Sequence, residues 1–192
     1  MIINGPSQSG KTHLARGIIS EQVYELPKKK VVWCYKLFQP WFYTEKSIKF
    51  VSGLTRASEK FDLLLLDDLM INSTSEISQM FTVESHHKSF SVILITQNLF
   101  PGVKVARDIS LNAHYIILFQ NNRDISQIAC FGRQVFPDGS KFLMDAYKKA
   151  TAEKYQFLLV DCFPTTDEEH RFRQFIFPHQ KRINWVFVPE EK

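Results

Sequence analysis

A chain of 192 residues is long enough to bury a substantial core, and this length suits one domain or one domain with an appendage. The formal net charge of +4 is a mild basic excess, which permits a nucleic-acid partner without requiring one. The three cysteines are widely spaced, which argues against a disulfide framework or a zinc site and favours a reducing intracellular compartment. No apolar run reaches membrane-spanning length, so no membrane partner is expected.

The first motif in the chain is a glycine-rich loop with the pattern G-x-x-x-x-G-K-[ST]. Its residues are Gly5, Pro6, Ser7, Gln8, Ser9, Gly10, Lys11 and Thr12. In such a loop the backbone N–H groups surround phosphates, the lysine reaches the β- and γ-phosphates, and the hydroxyl binds Mg²⁺. Residues 1–4 have the composition of a short strand, and residues 10–22 have the pattern of a helix, which is the context this loop requires. The motif therefore predicts ATP and Mg²⁺ as ligands, with Thr12 on the metal.

Apolar runs separated by helical patterns follow the loop. They predict strands at 31–35, 48–51, 61–67, 91–97 and 115–119, and a helix over 75–87. Strands that alternate with helices indicate a mainly parallel sheet. The pattern then changes, and predicts a helix over 140–153 with Ser140 as its N-cap, strands at 155–161 and 172–177 joined as an antiparallel hairpin, and an extended piece at 183–188.

An acidic pair ends the apolar run of residues 63–66. Asp67 should emerge at the carboxyl edge of the sheet, where ligands bind in such folds, and we expect it to serve as a Mg²⁺ carboxylate. We expect Asp68 to be the general base that polarises the attacking water. Most enzymes of this kind carry glutamate there, and the shorter aspartate leaves slow or partner-dependent turnover open. An ordinary strand end is the other interpretation of this pair.

The strand at 91–97 ends in Gln97, whose side chain can hydrogen-bond the attacking water or the γ-phosphate. A simple strand cap is the alternative. With the loop and the acidic pair, this layout predicts an α/β P-loop NTPase fold of the additional-strand (ASCE) type, in which helices cover a mainly parallel sheet. We divide the chain into an ATPase core at 1–135 and a C-terminal helix with a β-hairpin extension at 136–192, packed on the core as a single domain.

Residues 92–97 resemble the sensor strand of the FtsK–HerA ATPase superfamily. More narrowly, the chain is similar to the genome-packaging ATPases of Polinton (Maverick) elements, adintoviruses and virophages. The stretches that carry this resemblance are 5–12, 65–70, 85–100, 107–115, 122–128, 157–161 and 175–178. They extend over nearly the whole chain, and the block at 85–100 is the most specific of them.

The resemblance implies a DNA translocase that forms a homo-oligomeric ring, a pentamer or hexamer, and packages viral double-stranded DNA into a preformed capsid at its portal vertex. In such rings a neighbouring subunit supplies an arginine to the γ-phosphate. Arg107 and Arg123 are the candidates, and a surface ion pair is the alternative for each. The resemblance places the protein at sites of virion assembly in the host nucleus or cytoplasm, or in the virion.

Two other functions stay open at this point. A small nucleoside or nucleotide kinase carries a similar phosphate loop, although the sequence has no clear arginine-rich lid. A nucleotide-binding structural ring protein with weak hydrolysis is the second, because Asp68 stands in place of glutamate.

Overall fold

The computed structural model describes residues 1–25, 27–54, 60–69, 74–81, 85, 89–99, 109–177 and 185–189. The strands are β1 (Ile2–Asn4), β2 (Val31–Tyr35), β3 (Ile48–Ser52), β4 (Leu63–Asp67), β5 (Ser91–Thr96), β6 (Tyr115–Phe119), β7 (Phe157–Asp161), β8 (Phe172–Gln174) and β9 (Trp185–Val186). Four α-helices have their bounds within the described residues: α1 (Lys11–Ser20), α2 (Thr74–Gln79), α3 (Ile125–Val135) and α4 (Ser140–Ala150). Short 3₁₀ turns cover Pro40–Tyr43, Pro137–Gly139 and Glu168–His170.

The nine strands found in the described residues form one sheet, in the order β3-β2-β4-β5-β1-β6-β7-β8-β9. Neighbours from β3 to β6 in this order are parallel, and β7, β8 and β9 are added antiparallel. Strand β5 lies between β1 and β4 and is the predicted additional strand. The predicted α/β fold, with its mainly parallel sheet and C-terminal hairpin, is confirmed. The division of the chain at residue 135 stays a prediction.

Each face of the sheet carries its own hydrophobic core, because side chains alternate along a strand. One core packs α1 against Ile3, Trp33, Leu65 and Ile95. The opposite core packs α3 and α4 against strand residues whose side chains point to the other face of the sheet, such as Leu64 and Leu66. Burial on both faces explains why the central strands have continuous apolar sequences.

Several predicted boundaries differ from the structure by one to three residues. Strand β4 begins at Leu63, because the Asp62 carboxylate accepts the backbone N–H groups of Lys29 and Lys30 at 3.0 and 2.9 Å and so belongs to a turn. The prediction of Ser140 as an N-cap is wrong: Ser140 is the first helical residue, and Gly139 holds the cap position without a side-chain hydrogen bond. The helix expected over 75–87 is described at α2, and part of that range lies outside the described residues.

Helix α3 was not predicted. Its N-cap, Asp124, accepts the backbone N–H of Gln127 at 3.3 Å, and the Gln127 amide donates back to the same carboxylate at 2.5 Å. The side-chain Oε1 of Gln127 also accepts the backbone N–H of Leu99, at 2.9 Å. One glutamine thus joins the start of α3 to the segment that follows β5. Among the described residues, no helix has the length and apolarity needed to cross a membrane.

Candidate active site

The glycine-rich loop lies between β1 and α1, at the carboxyl edge of the parallel strands. A Cβ at Gly5 would lie 2.6 Å from Phe119 Cβ, so only glycine fits there. Gly10 has φ 104°, in the left-handed region, and caps α1. The backbone N–H of Gly5 donates to Thr96 O at 3.2 Å, which fixes the loop to the end of β5. The loop therefore has a defined shape, with the positive end of α1 at its floor.

The Lys11 ammonium group lies over this loop. Its Nζ donates to the carbonyl oxygens of Gly5 and Pro6, both at 2.7 Å, and the residue is only 9% exposed. Burial lowers the pKa of Lys11, and the nearby carboxylates of Asp67 and Asp68 act in the opposite direction. The neutral carbonyls that hold the ammonium group are weaker acceptors than a charged phosphate oxygen, which could replace them.

Asp67 is the last residue of β4 and is partly buried. Its Oδ2 accepts the indole N–H of Trp33 at 3.3 Å. Burial raises the pKa of Asp67, and the neighbouring Asp68 raises it further, whereas the Trp33 hydrogen bond and Lys11 lower it. A positive ion beside this carboxylate would favour its charged form.

Asp68 and Gln97 contact each other directly. Asp68 adopts a left-handed backbone with φ 56°, and its N–H donates to Ile95 O at 3.2 Å. The Gln97 amide donates to Asp68 Oδ2 at 3.0 Å. The end of β4 and the end of β5, which pair in parallel, therefore bring the two side chains together.

These residues line one pocket of about 350 Å³. Its lining comprises Ser7, Gln8, Lys11, Thr12, Lys36, Leu37, Gln39, Asp67, Asp68, Ile95, Thr96 and Gln97. The structure thus places the predicted lysine, hydroxyl, acidic pair and glutamine around one space. The sequence did not identify Lys36 and Gln39, which follow β2, nor Trp33 behind Asp67. The clue in the sequence was the predicted strand β2, which also ends at this edge of the sheet. Only the observed strand order places β2 beside β4.

Of the two predicted arginines, the structure describes Arg123. Arg107 lies outside the described residues. Arg123 follows β6, is exposed and does not line the pocket; its backbone N–H donates to Asn121 Oδ1 at 3.1 Å. Because β6 is parallel to β1, Arg123 lies at the same edge of the sheet as the phosphate loop.

A second cavity, of about 860 Å³, adjoins the loop at Gly10 and His13. Aromatic side chains form much of its wall, namely Phe119, Tyr155, Phe157, Phe175 and Phe177. Tyr155 is 69% exposed and has a left-handed backbone, with φ 65°. A side chain at Gly10 would contact its ring at 3.4 Å. The Tyr155 ring therefore lies close to the phosphate loop at Gly10.

The residues present fit a nucleotide with Mg²⁺. Lys11 is available for phosphate, and the glycines leave the loop backbone accessible. Thr12 and Asp67 offer oxygen donors around the same pocket, and oxygen is the donor that Mg²⁺ prefers.

No family model and no curated protein matches the chain. Solved structures do match it. The genome packaging NTPase B204 of Sulfolobus turreted icosahedral virus 2, in complex with sulfate, is 14% identical with a TM-score of 0.57, covering 86% of this chain and 92% of that one. The same NTPase in complex with AMPPCP is 13% identical with a TM-score of 0.57, covering 98% and 96%.

The DNA-packaging ATPase B204 of Sulfolobus turreted icosahedral virus is 13% identical with a TM-score of 0.53, covering 99% of this chain and 97% of that one. At these identities the similarity establishes the fold. The chain has the α/β fold of these packaging NTPases.

Proposed function

We propose that the protein is an ATPase that translocates viral double-stranded DNA into a preformed capsid. The observation that carries this proposal is the single pocket that contains Lys11, Thr12, Asp67, Asp68 and Gln97. The shared fold with viral packaging NTPases, one of them in complex with AMPPCP, supports it.

The proposed chemistry is in-line attack of water on the γ-phosphorus, which forms a new P–O bond while the bond to the β–γ bridging oxygen breaks and ADP leaves. Lys11 binds the β- and γ-phosphates, and Thr12 with Asp67 would hold Mg²⁺, which neutralises phosphate charge when bound. Gln97 occupies one carboxylate oxygen of Asp68 and so orients this side chain. The other oxygen accepts the proton of the attacking water. Asp68 is thus the proposed base and Gln97 the residue that senses the water or the γ-phosphate.

We place the nucleoside end of ATP in the second cavity. This cavity adjoins the loop at Gly10, and the exposed ring of Tyr155 offers a face on which a base can stack. The two cavities together would then hold both ends of one nucleotide.

The proposed active form is a homo-oligomeric ring, a pentamer or hexamer, that acts at the portal vertex of a capsid. Arg123 fits a role at the γ-phosphate of a neighbouring subunit, because it is exposed and lies at the edge of the sheet where nucleotide would bind. Arg107 remains the other candidate. We expect the protein in the host nucleus or cytoplasm, where virions assemble, or in the virion.

Phosphate release measured with and without duplex DNA tests the proposal. We expect DNA to increase the rate of hydrolysis by the oligomer, whose mass is measured in parallel. The increase should decline with salt, because contacts to DNA phosphates release counterions. Phosphate transfer to a nucleoside or nucleotide without stimulation by DNA would identify a kinase. Tight ATP binding without phosphate release, even with DNA, would identify a structural ring protein.

A further inference from the structure

Trp33 and Asp67 lie on the same face of the sheet. In the register of β2 and β4, Trp33 pairs with Leu65, and Asp67 is two residues further along β4. Since side chains alternate with a period of two, Trp33, Leu65 and Asp67 point to the same side, where α1 packs. The indole N–H reaches forward along this face and donates to Asp67 Oδ2 at 3.3 Å.

The indole of Trp33 is held in place by its surroundings. The residue is 0% exposed, and a buried indole N–H needs an acceptor. Trp41 packs edge-on against its ring, with centroids 5.3 Å apart, and Phe50 packs at 6.3 Å. The guanidinium of Arg16, on α1, lies 4.2 Å from the centroid of Trp41. Trp41, which packs on Trp33, is thus in contact with the helix that follows the phosphate loop.

We propose that Trp33 is a positioning residue for magnesium binding: its indole N–H holds Oδ2 of Asp67, so that Oδ1 is presented to the ion or to a water of the ion. The inference rests on the proposed function, because it assigns Asp67 to the metal of a bound nucleotide. Trp33 itself touches neither nucleotide nor metal. Hydrogen-bond partners of metal-binding side chains typically contribute roughly 10–100-fold to metal affinity.

The test compares ADP affinity in EDTA with ADP affinity in Mg²⁺, by calorimetry on the whole protein. The ratio of the two dissociation constants measures the gain in ADP affinity that the metal provides. In Trp33→Phe we expect this gain to fall roughly tenfold, while affinity in EDTA stays unchanged. Trp185→Phe is the matched control, because it makes the same substitution at an exposed residue of β9 that lines neither cavity. Its gain should equal that of the wild type.

An unchanged gain in Trp33→Phe would overturn the inference, and so would an equal loss in Trp185→Phe. If the wild type binds no ADP even with Mg²⁺, the proposed function itself fails. A second measurement covers poor folding of Trp33→Phe. The chain has three tryptophans, so Trp41→Phe with Trp185→Phe leaves Trp33 as the sole emitter. Mn²⁺ added with ADP should quench its fluorescence saturably, and emission insensitive to Mn²⁺ contradicts the inference.

Discussion

The two cavities that adjoin the phosphate loop differ in what they require of the chain. The smaller one contains charged and amide side chains at strand ends, and each must be of one chemical type to handle phosphate, metal or water. The larger one requires flat apolar surface, which several aromatic residues can supply. The residues of the smaller cavity can therefore be recognised as a sequence motif. The second cavity depends on the fold, because the antiparallel pairing of β7 with β6 returns late residues such as Tyr155 to the loop at Gly10.

The largest expected effect concerns Lys11 in the smaller cavity. Lys11→Ala should lower the hydrolysis rate by about a hundredfold or more, because the ammonium group would stabilise charge on the transferred phosphoryl group. Phosphate release under saturating ATP measures this change. Affinity for tripolyphosphate, which has no base, should fall as well.

Exposed Lys141 on α4 offers the control, since Lys141→Ala removes one positive charge outside both cavities. Full turnover by Lys11→Ala would show that the phosphate site is assigned wrongly.

An intermediate effect is expected in the larger cavity. Tyr155→Ala should weaken ATP binding roughly tenfold, because base–aromatic stacking is lost. Tyr155→Phe keeps the ring and should bind ATP like the wild type. Equilibrium binding of ATP and tripolyphosphate separates the two cavities: the alanine variant should lose affinity for ATP alone. Equal losses for both ligands would mean that Tyr155 supports the loop and does not contact the base.

The smallest expected effect is on stability. Burial is the main cause that raises the pKa of Asp67 in the folded state. The protonated carboxyl therefore stabilises the fold relative to the unfolded chain. This stabilisation is fully present below the ordinary aspartate pKa of about 3.9, and it is lost as pH rises through the folded-state pKa. Asp67→Asn cannot ionise and still offers Trp33 an acceptor.

In EDTA at neutral pH, Asp67→Asn should therefore be more stable than the wild type, on the order of 1 kcal/mol. Its advantage should disappear below about pH 4. Thermal melts across pH measure the difference. A variant less stable than the wild type at neutral pH would show that the charged carboxylate stabilises the fold even without metal.

The order of the central strands could be predicted less well than their existence. The runs at 31–35 and 115–119 coincide with β2 and β6, because apolar residues there are bounded by polar ones. Helix α3 escaped prediction although its start carries a readable capping pair, Asp124 and Gln127. The pattern of that segment is short and mixed, so periodicity alone did not reveal it.

The candidate site likewise combines residues that the sequence could predict with residues that it could not. The loop and the acidic pair were predictable, because phosphate and Mg²⁺ chemistry restricts the residue types. Lys36, Gln39 and Trp33 were not, because their place depends on β2 lying beside β4. The roles of the predicted residues stay predictions until the variants are measured.

The hydrogen bond from Leu99 to Gln127 has a mechanical consequence. Gln97 lies two residues before Leu99, and Arg123 lies just before the start of α3, so one glutamine side chain joins the segment that would detect the γ-phosphate to the helix beside the exposed arginine. Any displacement of Leu99 must either move α3 with it or break that hydrogen bond. In the proposed ring, this tether would let one subunit report its nucleotide state to the next.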